Sequence, residues 1–133
     1  EQDRFDPHFD HLLLIDRAQE GAVVGVYRLL LSEKAAEIGQ FYSEDEYDLS
    51  LLRQSGRRLL ELGRSCLAPA YRGGEGMYHL FNGLAGYVLE HEVEILFGVA
   101  SFHGTDPKAL AAPLSLLHHR HRIIEKTHGC GGK

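Results

Sequence analysis

The chain has no tryptophan, one methionine and only two cysteines in 133 residues. Cys66 and Cys130 are too few for the disulfide framework of small exported domains, so the cytoplasm is the expected compartment. Long apolar runs are also missing. Those at residues 12–15 and 29–31 fall far short of the roughly 18 residues that cross a bilayer. Positive charge is in deficit, with 14 Lys plus Arg against 19 Asp plus Glu and a formal charge of −5. A protein that gains affinity by neutralising phosphates has the opposite balance, so nucleic acid is not an expected partner. Residues 1–4 offer neither a starting Met nor a basic-then-apolar export signal, and the expectation is a fragment of a longer protein.

What is present, 44% hydrophobic and 25% charged residues, is the composition of one soluble globular domain rather than of a disordered chain. Residues 11–16 and 23–30 read as two strands joined by a turn at Gln19-Glu20-Gly21, with Gly21 alone supplying permissive backbone. Ser43, three residues before Glu46, predicts a capping box and a short helix or turn. Residues 58–67 read as a strand ended by Pro69, with Gly63 mid-strand, where a bulge is common. Met77, Leu80, Phe81, Leu84, Val88 and Leu89 recur at helical spacing and predict a helix to about His91. A buried strand over 95–101 follows, then a helix capped by Asp106-Pro107 that Pro113 should bend or interrupt. This alternation predicts a mixed sheet with helices on its faces.

Two segments carry chemistry. Tyr71-Arg72-Gly73-Gly74-Glu75-Gly76 joins a strand to a helix, a place where free amides and the macrodipole bind phosphate, although a close-packed connection explains the glycines equally well. Glu61 and Arg64, three apart, would face opposite sides of a regular strand. A bulge at Gly63 would bring both to one cleft and leave an amide free. A carboxylate, a guanidinium and a free amide are the parts needed for acyl transfer to an amine. The alternative is a solvated Glu61 paired with Arg58 or Arg64. Arg28 and Arg64 suit bidentate binding of a carboxylate, or equally an ion pair. The freed amide, flanked by Ser65 and Cys66, would stabilise the tetrahedral intermediate. Cys66 reads as a small core residue rather than a nucleophile. The histidines at 118, 119, 121 and 128 match no standard metal spacing, and no metal is expected.

Six segments together resemble a known family: Asp10-His11-Leu12-Leu13-Leu14-Ile15-Asp16, Val24-Gly25-Val26-Tyr27-Arg28-Leu29-Leu30, Gly39-Gln40-Phe41-Tyr42-Ser43-Glu44, Leu60-Glu61-Leu62-Gly63-Arg64-Ser65-Cys66, Tyr71-Arg72 and Ala100-Ser101-Phe102-His103-Gly104-Thr105-Asp106-Pro107. They are similar to the bacterial ornithine-acyl carrier protein N-acyltransferases, often labelled hemolysin-like, of the GNAT superfamily. A more distant resemblance joins Asp3, Asp6, Arg28, Glu61 and Arg64 to the acyl-homoserine lactone synthases. The resemblance implies an α/β fold, a GNAT-like mixed and mostly antiparallel sheet with helices on both faces, lacking the N-terminal strand and helices. It implies one acyltransferase domain over residues 1–133, as a fragment or truncated version.

The implied reaction moves a 3-hydroxyacyl chain from acyl carrier protein to the α-amine of ornithine, a step towards a phosphorus-free membrane lipid. Glu61 and Arg64 would be catalytic, and Arg28, Asp3, Asp6 and Ser65 would bind substrate, the two aspartates meeting the cationic side chain. Arg72, Gly73, Gly74 and Gly76 would bind the acyl-phosphopantetheine donor, carried by acyl carrier protein or alternatively by coenzyme A, with no permanently bound cofactor. Arg57, Arg58 and Arg72 would meet the acidic carrier protein, and peripheral contact with the inner membrane would follow from a lipid product. The GNAT phosphate signature is altered, since counting from Arg72 puts Glu75 and Met77 at the small positions. Starting at Tyr71 restores Gly74 and Gly76 but loses the basic residue. The single phosphate of a carrier-protein donor asks less of such a loop. The rivals are a GNAT enzyme using a short acyl-coenzyme A and a non-catalytic binding domain of the same fold.

Overall fold

In the computed structural model, residues 3–121 are described. The chain falls into two compact units, one through Val99 and one from Ala100 onward. The first holds a four-stranded sheet of β1 (Asp10–Asp16), β2 (Ala22–Leu31), β3 (Leu59–Leu67) and β4 (Ile95–Gly98), in that spatial order. The pairs β1–β2 and β2–β3 are antiparallel, and β3–β4 is parallel. Between β2 and β3 lie α1 (Ser32–Ile38) and α2 (Ser50–Gln54), and α3 (Glu75–Glu90) forms the crossover from β3 to β4. These are the mixed, mostly antiparallel sheet and two-sided helices expected of the fold class.

β2 reads as an apolar run because both its faces are covered. On one face Leu29 packs with Leu60 of β3 and Leu84 of α3. On the other, Leu30 joins Leu59, Ala35 of α1, Phe5, Phe9 and Phe41. Leu30 and Leu60 have no exposed surface, and burying each such side chain stabilises the fold by about 1.5–3 kcal/mol. The Tyr87 hydroxyl fastens α3 to the edge strand by donating to Asp10 at 2.6 Å. Burial and that carboxylate push the tyrosine pKa well above its ordinary value.

Several local details differ from the sequence reading. The β1–β2 connection includes a 3-10 turn at Arg17–Gln19, and Glu20 as well as Gly21 is left-handed, at φ 53° and 80°. The Asp16 side chain accepts from the Ala18 amide and supports this turn. The capping interaction expected at Ser43 begins two residues earlier, where Glu44 accepts the Phe41 amide at 2.6 Å ahead of a 3-10 turn at Tyr42–Asp45. β4 stops at Gly98, which pairs with Leu62 just before β3 turns irregular at the left-handed Arg64, and it packs so close to β3 that a Cβ there would lie 2.4 Å from the Leu62 carbonyl oxygen. In the second unit α4 (Pro107–Arg120) begins as expected, with Asp106 accepting the Lys108 amide, but runs uninterrupted through Pro113. A proline removes one amide donor, and the other bonds along α4 carry the helix past it.

Gly98→Ala should destabilise by about 1–3 kcal/mol through overpacking. Gly86→Ala, with nothing within 4 Å of the added methyl, should stabilise by up to about 1 kcal/mol through helix propensity. Urea denaturation of both variants checks the pair.

Candidate active site

The β2–β3 ladder contains one residue too many on β3. Val26 pairs with Cys66, but Arg28 pairs with Gly63, which leaves Tyr27 opposite both Arg64 and Ser65. The ladder is interrupted beside Gly63 as anticipated, yet the left-handed residue is Arg64, at φ 51°, while Gly63 keeps an ordinary backbone. A non-glycine residue in that region costs about 1–2 kcal/mol. The extra residue resets the alternation of side chains. Arg64 therefore reaches the face that carries Glu61 and Arg28, where its Nη2 lies 3.6 Å from Asp3.

Arg28 is 4% exposed. Its Nη1 donates to Asp3 at 2.7 Å and to Asp6 at 2.6 Å, and its guanidinium carbon lies over the rings of Phe9 and Tyr42, at 4.2 and 5.0 Å from their centroids. The two aspartates are themselves fixed. Asp3 accepts the amides of Phe5 and Asp6, and Asp6 accepts the amide of Asp3 at 2.8 Å. Both carboxylates are thereby held in place by the backbone of their own segment. Burial alone would raise the Asp3 pKa, but the Arg28 hydrogen bond and the Phe5 amide outweigh it and hold the carboxyl below its ordinary range. Asp6 is lowered by the Asp3 amide and then by Arg28. Burial opposes the charge on Arg28, and the two carboxylates raise its pKa in return.

Glu61 is 2% exposed, not a solvated strand residue. One carboxylate oxygen accepts the Tyr42 amide at 2.8 Å, and the other accepts the Ser43 amide at 2.8 Å and the Ser43 hydroxyl. Glu61 thus caps the 3-10 turn from the neighbouring strand. Arg58, its suggested partner, binds Glu33 at 3.0 Å and Glu92 at 3.4 Å instead. Ser65 and Cys66 are both exposed. The β4 ladder ends at the Leu62–Gly98 pair, so among the described residues β3 has no strand partner on that edge from residue 63 to 67.

Just past the C-terminal end of β3, Gly73 is left-handed at φ 77°, Gly74 precedes the first turn of α3, and the Arg72 Nε donates to the Leu67 carbonyl at 2.9 Å. Gly76 has a packing duty, since a Cβ there would lie 2.6 Å from the Tyr71 carbonyl oxygen. The Tyr71 hydroxyl donates to Asp16 and accepts from Gln19 at 2.7 Å. Sequence reading missed this clasp, because its members lie more than 50 residues apart, with no local pattern to join them. Arg57 and Arg58 precede β3 and Arg72 follows it, so the strand separates these basic residues. Among the described residues no group of three or more His, Cys, Asp or Glu side chains is placed to hold a metal ion; His128 and Cys130 lie outside the described residues. No described helix is long and apolar enough to cross a membrane.

The fold agrees with the family that the sequence matches. Residues 1–82 match the Acetyltransferase (GNAT) domain, and the chain belongs to that family. It is 62% identical over 129 residues to L-ornithine N(alpha)-acyltransferase of Rhodobacter capsulatus, a match covering 94% of this chain and 50% of that protein. It is 45% identical over 129 residues to the protein of the same name from Brucella abortus, covering 92% of this chain and 46% of that one. The chain thus spans about half the length of these curated relatives. Among solved structures, a Trypanosoma brucei acetyltransferase aligns with a TM-score of 0.49 and 15% identity, over 92% of this chain and 68% of that one.

The depressed aspartate values give the cluster a pH signature. A carboxyl whose pKa is lower in the folded state adds stability above its unfolded value, near the ordinary 3.8, and loses it as pH falls through the folded value. Denaturation curves from neutral pH to about pH 2 should therefore show wild-type stability falling in the acid range. The Asp3→Asn/Asp6→Asn variant should start less stable at neutral pH and lack that part of the decline.

Proposed function

We propose that the chain is the acyl-transfer portion of an ornithine Nα-acyltransferase that takes its acyl group from a phosphopantetheine thioester. The observation that carries this reading is the bulge that sets Arg64 beside Asp3 on the face shared with Arg28 and buried Glu61. Asp3, Asp6 and Glu61 against Arg28 and Arg64 leave this group one negative charge in excess. That balance suits an amino acid carrying a second amine, whose net charge is positive at neutral pH. The relatives' names support ornithine as that amino acid.

In the proposed reaction the donor lies along the open edge of β3, beyond Leu62, where backbone amides without strand partners can stabilise a developing oxyanion. Arg72, Gly73 and Gly74 meet its phosphate at the start of α3, and Gly76 lets that helix approach the preceding turn. Arg64 holds the acceptor carboxylate and Ser65 borders it, while Arg28 keeps Asp3 and Asp6 in place for the side-chain ammonium. Glu61, through the oxygen that among the described residues accepts only the Tyr42 amide, takes the proton from the α-ammonium, directly or through one water. The amine nitrogen then attacks the thioester carbonyl, the carbon–sulfur bond breaks, and the second amine proton passes to the leaving thiolate. The products are an amide and a free thiol. Acyl carrier protein is the proposed donor carrier, because the altered glycine loop suits one phosphate better than the several of coenzyme A.

A second reading, donor binding without turnover, is favoured by the three hydrogen bonds already made to Glu61. Mass spectrometry of the full-length protein incubated with ornithine and either 3-hydroxyacyl carrier protein or acyl-coenzyme A separates these possibilities. The expected result is an amide product with the carrier-protein donor. Glu61→Gln should lower kcat by about a hundredfold or more with donor affinity unchanged. Amide formed by Glu61→Gln at the wild-type rate removes the base assignment, and no amide from either donor removes the acyltransferase reading.

A further inference from the structure

Gly63 is a glycine without a structural reason. Its φ is not left-handed, and among the described residues a Cβ built on it meets only the Arg28 Nε, at 4.0 Å. Gly25, Gly76 and Gly98 are different, since an added Cβ would come within 2.7, 2.6 and 2.4 Å of a neighbour. Glycine inside a strand costs about 0.5–1 kcal/mol relative to alanine, and at position 63 no clash avoided in the fold offsets that cost. The space left open lies across the ladder from Arg28, with Glu61 two residues before it and Arg64 next to it. A second observation points to the same place. The Arg28 Nε, the nearest atom to that space, is the one buried side-chain polar atom without a hydrogen-bond partner among the described residues. Buried donors are nearly always satisfied, and an exception calls for a cause.

We infer that Gly63 is a specificity-determining position: the side-chain space it leaves empty receives the carboxylate of an α-amino acid, which accepts hydrogen bonds from the Arg28 Nε and from Arg64. The inference deepens the acyltransferase reading and rests on it. The Nε lies 4.0 Å from the point a methyl would occupy, so a carboxylate seated in that space reaches it with a small adjustment of the surrounding side chains. Because the carboxylate and the α-amine share one carbon, a carboxylate seated over Gly63 brings the α-amine towards Glu61 and leaves the side-chain amine farther out. Acylation at the α-position follows from where the carboxylate sits. A diamine of the same length without a carboxylate has nothing to place in this space.

The test compares the full-length wild type with Gly63→Ala, using ornithine and 1,4-diaminobutane as acceptors and calorimetric titration of each. Gly63→Ala should keep or raise the thermal midpoint, since the methyl has room. It should raise the KM for ornithine about tenfold or more, as expected for the loss of one charge-assisted hydrogen bond, with the KM for the acyl donor unchanged. The wild type should bind ornithine and not the diamine. A folded Gly63→Ala with an unaltered ornithine KM overturns the inference while leaving the acyltransferase reading intact. If the variant loses stability, the wild-type titration decides, and equal affinity for diamine and amino acid overturns the inference. A wild type that forms no amide and binds no amino acid overturns both.

Discussion

One surplus residue in β3, opposite Tyr27, governs how the polar face is built. Without it, Glu61 and Arg64 would point to opposite sides of the sheet, and the guanidinium would lie on the face that packs against α3. With it, Arg64 adopts a left-handed backbone and meets the aspartate that also holds Arg28. Strain of this kind persists only where the surroundings enforce it. Here the enforcing element is the ladder on either side of the irregularity, where Gly25 and Val26 pair with Leu67 and Cys66, and residues 28–31 pair with residues 60–63.

The charged groups stand on rigid supports. β2 and β3 have apolar cores on both faces, so Arg28 and Glu61 project from strands that cannot shift without disturbing two sets of packed side chains. Each is then fixed a second time from outside the sheet. The segment before β1 grips Arg28 through Asp3 and Asp6, and the turn after α1 grips Glu61 through Tyr42 and Ser43. The same two segments supply Phe5, Phe9 and Phe41 to the core beneath. Folding of the apolar layer and assembly of the polar group are therefore one event.

Much of the fold was legible in the sequence, because its signals are local. The apolar runs of β1, β2 and β3, the helical spacing of α3 and the Asp-Pro start of α4 all depend on neighbours within a few residues. α1 and α2 were not legible. At 7 and 5 residues they are too short to establish a period. The site was legible in part. Glu61, Arg64 and the broken ladder between them followed from strand geometry, but which residue is left-handed did not, since glycine is the ordinary choice and arginine took that role. Ser43 looked like the start of a helix because its spacing to Glu46 mimics a capping box, whereas its hydroxyl is used across the fold by Glu61. The Asp16–Tyr71 clasp and the Asp3–Arg28 pair join residues that only the folded chain brings together.

In the proposed reaction the strained backbone at Arg64 presents its guanidinium to the acceptor carboxylate. Arg64→Gly removes both the strain and the guanidinium, and kinetics of the full-length variant with and without added guanidinium ion read the consequence directly. The expected result is a thermal midpoint equal to or above that of the wild type, ornithine acylation reduced by about a hundredfold or more, and partial recovery on adding the free cation. Acylation by the Arg64→Gly variant at the wild-type rate would contradict it.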